Sequence, residues 1–133
     1  MAMKSVRWIP VFLLAAALPV ATQAKSDAVV KQVATASAHA GMALGAADLK
    51  MAHAHLHHVI NCLAGPSGEG YDAQEENPCK GMGQGAIVDA KGDQATVTRL
   101  REALEQAEHG TRAATVADAH ADAQRVMSSL QAK

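Results

Sequence analysis

The stretch that decides the fold is LKMAHAHLHHVINCL, residues 49–63. Large apolar residues and one histidine recur along it at alternating spacings of four and three: Leu49, His53, Leu56, Ile60 and Leu63. Such spacing places side chains on one face of an α-helix. The stretch therefore predicts an amphipathic helix that buries this face against a partner.

A second copy of this pattern begins 67 residues later, as VADAHADAQRVMSSL at residues 116–130. Five positions are identical at that offset: Ala52/Ala119, His53/His120, Ala54/Ala121, Val59/Val126 and Leu63/Leu130. Each copy follows another segment with helical spacing, which runs from Val30 to Leu44 in the first half and from Val97 to Ala107 in the second. The sequence thus predicts two equivalent helical hairpins.

The predicted hairpins cover residues 26–63 and 93–131 of a domain at 25–133. A turn is expected at residues 45–48, Asp93 as the N-cap of the third helix, Gly110 as its end and Thr111 as the cap of the fourth. Neither hairpin can bury its apolar face alone. We therefore predict an all-α fold, an antiparallel four-helix bundle built from the two hairpins.

Residues 64–92 hold seven glycines outside any periodic pattern, which predicts a loop between the hairpins. Cys62 and Cys79 bracket its first part, and in an exported chain two cysteines are first interpreted as a disulfide. The alternative is that both thiolates bind metal. The prediction is a disulfide-closed loop rich in glycine and proline.

The N-terminus is typical of a secretory signal peptide. Basic residues Lys4 and Arg7 precede a short apolar run at 8–20, and small residues Ala21 and Ala24 precede Lys25. We predict removal of residues 1–24 and a periplasmic or secreted protein without stable membrane insertion after cleavage. The remaining chain has one aromatic residue, Tyr71, and keeps all seven histidines.

Composition excludes several classes of function. The 133 residues carry a formal net charge of −1, with no basic surface for nucleic acid. The length suits one small domain. No nucleophile lies in a recognised motif with histidine and acid, and no glycine-rich phosphate loop follows a strand. We therefore expect a protein that is not an enzyme.

The histidines are the unusual feature, and four of them fall within residues 53–58. On a helix, His53 and His57 share one face with the apolar residues, whereas His55 and His58 share another face that continues to Cys62. Histidines four residues apart on a helix are a common way to supply two nitrogen ligands to one metal ion.

The expected metal site combines histidines on the predicted buried faces. His120 is the repeat partner of His53, and His39 lies about as far before the first turn as His53 lies after it. The candidate ligands are His39, His53, His57 and His120, with Met42 and His58 in reserve. His109, at the end of the third helix, is interpreted as interacting with the helix dipole.

Imidazole ligands with an optional thioether favour copper, with zinc or nickel as second choices. The predicted function is an exported metal-binding protein for sequestration, carriage or metal tolerance. One alternative is non-covalent haem held between helices, although few aromatics exist to pack against a porphyrin. The other is a non-catalytic periplasmic interaction or sensor-accessory module with an unidentified protein partner.

The hairpins resemble those of the bacterial periplasmic small metal-binding protein family, over residues 26–63 and 93–131. The resemblance is carried by ALEQAEHG at 103–110 and ADAHADA at 117–123. It implies a histidine-rich four-helix bundle that binds copper and other divalent metals. This chain differs in its cysteine-closed loop and in its fewer, more clustered histidines, so the metal stoichiometry does not carry over.

Overall fold

The computed structural model describes residues 20–132, with side chains from residue 26 onward. Within this range the chain is all-helical and has no strand. Its five helices are α1 (Val20–Leu44), α2 (Leu49–Ala64), the short α3 (Ala86–Asp89), α4 (Gln94–Gly110) and α5 (Val116–Gln131). Residues 1–19, most of the predicted signal peptide, lie outside the described residues.

The four long helices pack on one another around a core made largely of alanine. α1 contacts α2 and α5, α4 contacts α5, and α2 also contacts α4. The largest fully buried apolar side chains are Leu56, Leu63, Leu100, Val59 and Val126. Because most other core positions are alanine, neighbouring helices can approach closely. In the described part of the chain, no helix has the length and apolarity needed to cross a bilayer.

The two hairpins repeat with the offset that the sequence predicts. Residues 49 and 64 bound α2, and residues 116 and 131, both 67 positions later, bound α5. Asp48 and Thr115 stand at equivalent N-cap positions, and each side chain accepts a hydrogen bond from the backbone three residues on. Asp93 caps α4 as expected. The prediction that Thr111 caps the last helix is wrong, because a further short turn separates Gly110 from Thr115.

The buried face of α1 differs in part from the one predicted. Val30, the first residue of the expected apolar stripe, is 64% exposed. The buried residues of α1 are Gln32, Ala36, Ala40 and Ala43. Ala40 belongs to the predicted stripe, and Val33 and Leu44 of that stripe pack against the core while partly buried. Alanine fits where helices approach closely, so the larger residues Val33 and Leu44 are only partly covered.

The segment between α2 and α4 is tightly anchored. Cys62 and Cys79 form the predicted disulfide. The backbone at Gly65, where the segment begins, lies against the backbone at Gly85, near its end. A Cβ on Gly65 would lie 1.9 Å from the Gln84 carbonyl oxygen, and a Cβ on Gly85 would lie 2.5 Å from the Ala64 carbonyl oxygen. Glycine at both positions permits this backbone contact.

A buried glutamine fixes the end of the same segment. The Gln32 side chain accepts a hydrogen bond from the Gly85 N–H at 2.9 Å and donates one to the Asp89 carboxylate at 2.9 Å. Asp89 lies in α3, which falls inside the loop predicted from composition. Loop and short helix are therefore held against α1 as well as α2.

Candidate metal centre

Three histidines from the first hairpin converge at the α1–α2 contact. His39 comes from α1, and His55 and His58 come from adjacent turns of α2. The Nδ1 atom of His39 lies 3.2 Å from that of His55 and 3.3 Å from that of His58. All three side chains are partly buried, and one ring nitrogen from each lies within 4.8 Å of the others. The cluster could hold a metal ion.

The separations match those of donors that share one ion. With metal–nitrogen bonds of about 2.0–2.1 Å, two ligands in a tetrahedral site lie about 3.3 Å apart. A neutral imidazole nitrogen has either one proton or one lone pair, so His39 Nδ1 cannot form two well-aligned hydrogen bonds. A metal ion would satisfy all three lone pairs at once.

The surroundings favour the neutral form of two of these rings. Burial lowers the pKa of His39 below its ordinary 6.5, and the neighbouring His58 and His55 lower it further. Burial also lowers the pKa of His58, with an added contribution from His55. Metal binding requires the unprotonated ring. The lowered pKa values of His39 and His58 therefore favour the form of these two rings that binds a cation.

The second hairpin has other residues at the positions equivalent to the three cluster histidines. The residues 67 positions after the three cluster histidines are Gln106, Asp122 and Arg125. Asp122 is buried, accepts a hydrogen bond from His109 Nδ1 at 2.8 Å and pairs with Arg125. An ion pair therefore stands where the first hairpin has imidazoles. Because α4 and α5 pack together with no histidine at any of these three positions, packing alone does not call for histidine at them.

The repeat histidines His53 and His120 do not join the cluster. His53 Nε2 donates to the Ala113 carbonyl oxygen at 3.1 Å, in the turn between α4 and α5. His120 Nε2 donates to the Ala46 carbonyl oxygen at 2.9 Å, in the turn between α1 and α2. Ala46 and Ala113 are themselves 67 residues apart. Each histidine thus binds the turn of the other hairpin, in a reciprocal pair.

One other predicted ligand, His57, and one reserve ligand, Met42, also lie outside the cluster. His57 faces the loop, where its buried Nδ1 lies 3.5 Å from an Asp72 carboxylate oxygen without a hydrogen bond. Met42 is about half exposed on α1, one turn beyond His39. His58, held in reserve, lies in the cluster. The structure therefore brings together His39 and His58 of the predicted set, but not His53, His57, His120 or Met42.

His55 is the cluster member that sequence reasoning left out. The signal was present, because His55 and His58 share a helix face three residues apart. The prediction instead placed the ligands on the apolar face, where the core proves to consist of alanine and leucine. In the structure the histidines meet beside that core, at the edge of the α1–α2 contact.

Comparisons of this sequence with protein-family models and with curated proteins gave no match, and neither did a comparison with solved structures.

Proposed function

We propose that this protein is an exported metal-binding protein that holds one ion at His39, His55 and His58. The observation that carries the proposal is the convergence of three Nδ1 atoms at separations of 3.2 and 3.3 Å. Sequestration, carriage or metal tolerance is the role that such a site would serve. Binding is proposed as the whole activity, without catalysis.

Copper is the proposed metal, with zinc or nickel as second choices. Imidazole suits all three, and Cu²⁺ binds most tightly in the divalent series. Met42 and Met51 add support, because both are about half exposed on the helices that carry the cluster. Met51, His55 and His58 follow at helical spacings of four and three, which places them on one face of α2. Thioethers beside imidazoles favour Cu⁺ in particular.

We infer an antiparallel four-helix bundle as the scaffold. The contacts of α1 with α2 and α5, and of α4 with α5 and α2, support this arrangement. The Cys62–Cys79 disulfide supports export, since disulfides persist mainly in oxidising compartments. The predicted signal peptide over residues 1–24 agrees with a periplasmic or secreted location.

The test measures metal binding directly. Residues 25–133 are purified without a polyhistidine tag, and bound metal is removed with a chelator. The protein is then titrated with Cu²⁺, Cu⁺, Zn²⁺ and Ni²⁺ in competition with chromophoric chelators. We expect one tight site, with copper bound most strongly, and a rise in melting temperature on loading. A Soret band in protein purified from cells would instead assign haem.

Single variants identify the ligands. His58→Ala should abolish tight binding, whereas His109→Ala, which alters an exposed histidine of the second hairpin, should leave it unchanged. Equal loss in both would mean that binding is a general property of surface imidazoles. Absence of tight binding in the unaltered protein would overturn the proposed function and leave the interaction module.

A further inference from the structure

Three histidine nitrogens leave one position of a four-coordinate metal ion to fill. Water, a substrate or a further side chain of the protein can take that position. The inference drawn from this rests on the proposed function, and it concerns which side chain completes the site and which form of copper the site then selects. The second hairpin is informative here, because its side chains meet at positions equivalent to those of the cluster.

One contact of the second hairpin shows which position of α1 is within reach of the cluster. His109, near the end of α4, has its Nδ1 atom 2.8 Å from Oδ2 of Asp122 on α5. The residues 67 positions earlier are Met42 on α1 and His55 on α2. Because the two hairpins repeat at this offset, a side chain at position 42 starts from a backbone position that reaches residue 55.

The register of α1 and α2 leads to the same pairing. His39 Nδ1 lies 3.3 Å from His58 Nδ1. The two helices run in opposite directions from the turn at residues 45–48. A step of three residues toward that turn along α1 leads from His39 to Met42, and the same step along α2 leads from His58 to His55. Residues three apart share a helix face, so Met42 stands opposite His55 at the end of the cluster nearest the turn.

Methionine has the length that this contact requires. Methionine Sδ and histidine Nδ1 are separated from Cα by the same number of bonds. Met42 can therefore bring its sulfur as close to residue 55 as His109 brings its nitrogen to residue 122. Met42 is about half exposed and its side chain is unbranched, so it can change rotamer at little cost. The sulfur can join the three nitrogens without movement of the backbone.

The other exposed methionine of this hairpin has no equivalent contact to support it. Met51 is as exposed as Met42, and the residue 67 positions after it is Asp118. The Asp118 carboxylate accepts a hydrogen bond from the Thr115 hydroxyl at 2.7 Å, at the start of α5. In the second hairpin this position thus belongs to the helix cap. The repeat therefore favours Met42 over Met51 as a ligand.

We propose that the thioether sulfur of Met42 is the fourth ligand of the ion held by His39, His55 and His58, and that it makes the site selective for Cu⁺. Imidazole alone suits zinc, nickel and copper, whereas a thioether is a soft ligand that suits Cu⁺. Zn²⁺ can complete the same site with water and gains little from the sulfur. The three histidines bind each of these ions, and Met42 adds affinity for Cu⁺ alone.

The first experiment compares Met42→Leu with Met51→Leu in the mature protein. Leucine keeps the approximate volume and the apolarity of methionine but has no sulfur. Cu⁺ and Zn²⁺ affinities are measured by competition with chromophoric chelators. Met42→Leu should weaken Cu⁺ binding by about tenfold, the lower end of the losses for groups that support a metal site, and should leave Zn²⁺ binding unchanged. Met51→Leu is the matched control and should change neither affinity.

Two outcomes of this comparison would overturn the proposal. One is an unchanged Cu⁺ affinity in Met42→Leu. The other is an equal loss of Cu⁺ affinity in both variants, because it would indicate a general effect of exposed thioethers. Circular dichroism of the metal-free variants checks that both are folded.

A third variant tests the reach of position 42 directly. Met42→His introduces the residue that the second hairpin has at this position, His109. A fourth imidazole within reach of the ion should raise Zn²⁺ affinity several-fold and reduce the preference for Cu⁺ over Zn²⁺. Unchanged Zn²⁺ affinity in Met42→His would mean that side chains at this position do not reach the ion, and the proposal would be wrong.

X-ray absorption at the copper edge identifies the donor atoms. The Cu⁺ form of the unaltered protein should show a sulfur neighbour in addition to nitrogen. That sulfur should be absent from Met42→Leu and present in Met51→Leu. Nitrogen neighbours alone in the unaltered protein would refute the thioether ligand.

Failure of this inference is distinguishable from failure of the proposed function. Cu⁺ binding that is lost in His58→Ala but unchanged in Met42→Leu would refute only the thioether ligand. Wild-type binding in His58→Ala would refute the three-histidine site itself, and the thioether ligand with it.

Discussion

Replacing the cluster histidines by the residues at the equivalent positions of the second hairpin gives the triple variant His39→Gln, His55→Asp and His58→Arg. It removes every proposed nitrogen ligand and introduces the side chains that stand at the equivalent positions of the α4–α5 pair. The new Asp and Arg stand three residues apart on α2, as Asp122 and Arg125 do on α5. We expect a folded protein that no longer binds metal tightly.

The magnitude follows from linkage between binding and folding. A ligand present at one hundred times its Kd stabilises the folded state by about 2.7 kcal/mol. For a domain of this size that corresponds to a rise in melting temperature of about 10 °C. The wild type should show this rise with copper or zinc, and the triple variant should show none. The metal-free proteins should differ by only about 1 kcal/mol, because the replaced side chains are not core residues.

The assay is thermal unfolding followed by circular dichroism, with and without metal, together with bound metal measured by mass spectrometry. His57→Gln is the matched control, because Gln124 is its counterpart in the second hairpin and His57 lies outside the cluster. It should keep the full shift. A shift of wild-type size in the triple variant, or loss of the shift in His57→Gln, would refute the assignment of the site.

Three further predictions follow from other residues. His53→Ala and His120→Ala should each cost about 1 kcal/mol of stability in chemical denaturation, because each leaves a turn carbonyl without its donor, and neither should change metal affinity; a loss of affinity would place them at the metal. The pKa values of His39 and His58 are lowered from 6.5 in the folded protein, so below pH 6.5 the unfolded chain takes up protons first. The stability of the metal-free protein and its affinity for metal should therefore both decrease as the pH falls. Unfolding and zinc titrations at several pH values check this sign, and a flat profile would contradict it. The double variant Met42→Leu and Met51→Leu should weaken Cu⁺ binding several-fold and leave Zn²⁺ binding unchanged, as measured by competition titration; equal effects on both ions would argue against thioether participation.

Much of the fold could be predicted because it depends on local signals. The helix start at Asp93, the turn at residues 45–48, the disulfide and the repeat offset each follow from a few neighbouring residues or from spacing. The buried face of α1 could be predicted only in part, because alanine is compatible with either side of a helix. There the position of α2 and α5 decides which alanines are covered, and this is a tertiary property.

The site was only partly predictable for a related reason. His39 and His58 are among the predicted ligands, but helical spacing favours ligands on the apolar face. Histidines on that face, His53 and His120, instead donate to backbone carbonyls, because a turn from the other hairpin reaches them first. Which polar group meets an imidazole depends on the contact between hairpins, and helical spacing carries no information about that contact.

The reciprocal hydrogen bonds from His53 and His120 also affect how cooperatively the protein unfolds. Each hairpin supplies the donor that its partner's turn requires, so unfolding of either half deprives the other of a turn contact. We expect the halves to lose structure together, with a single transition and matched hydrogen-exchange protection in both turns. A metal bound to the first hairpin alone would then protect the second one equally, although it touches no residue there.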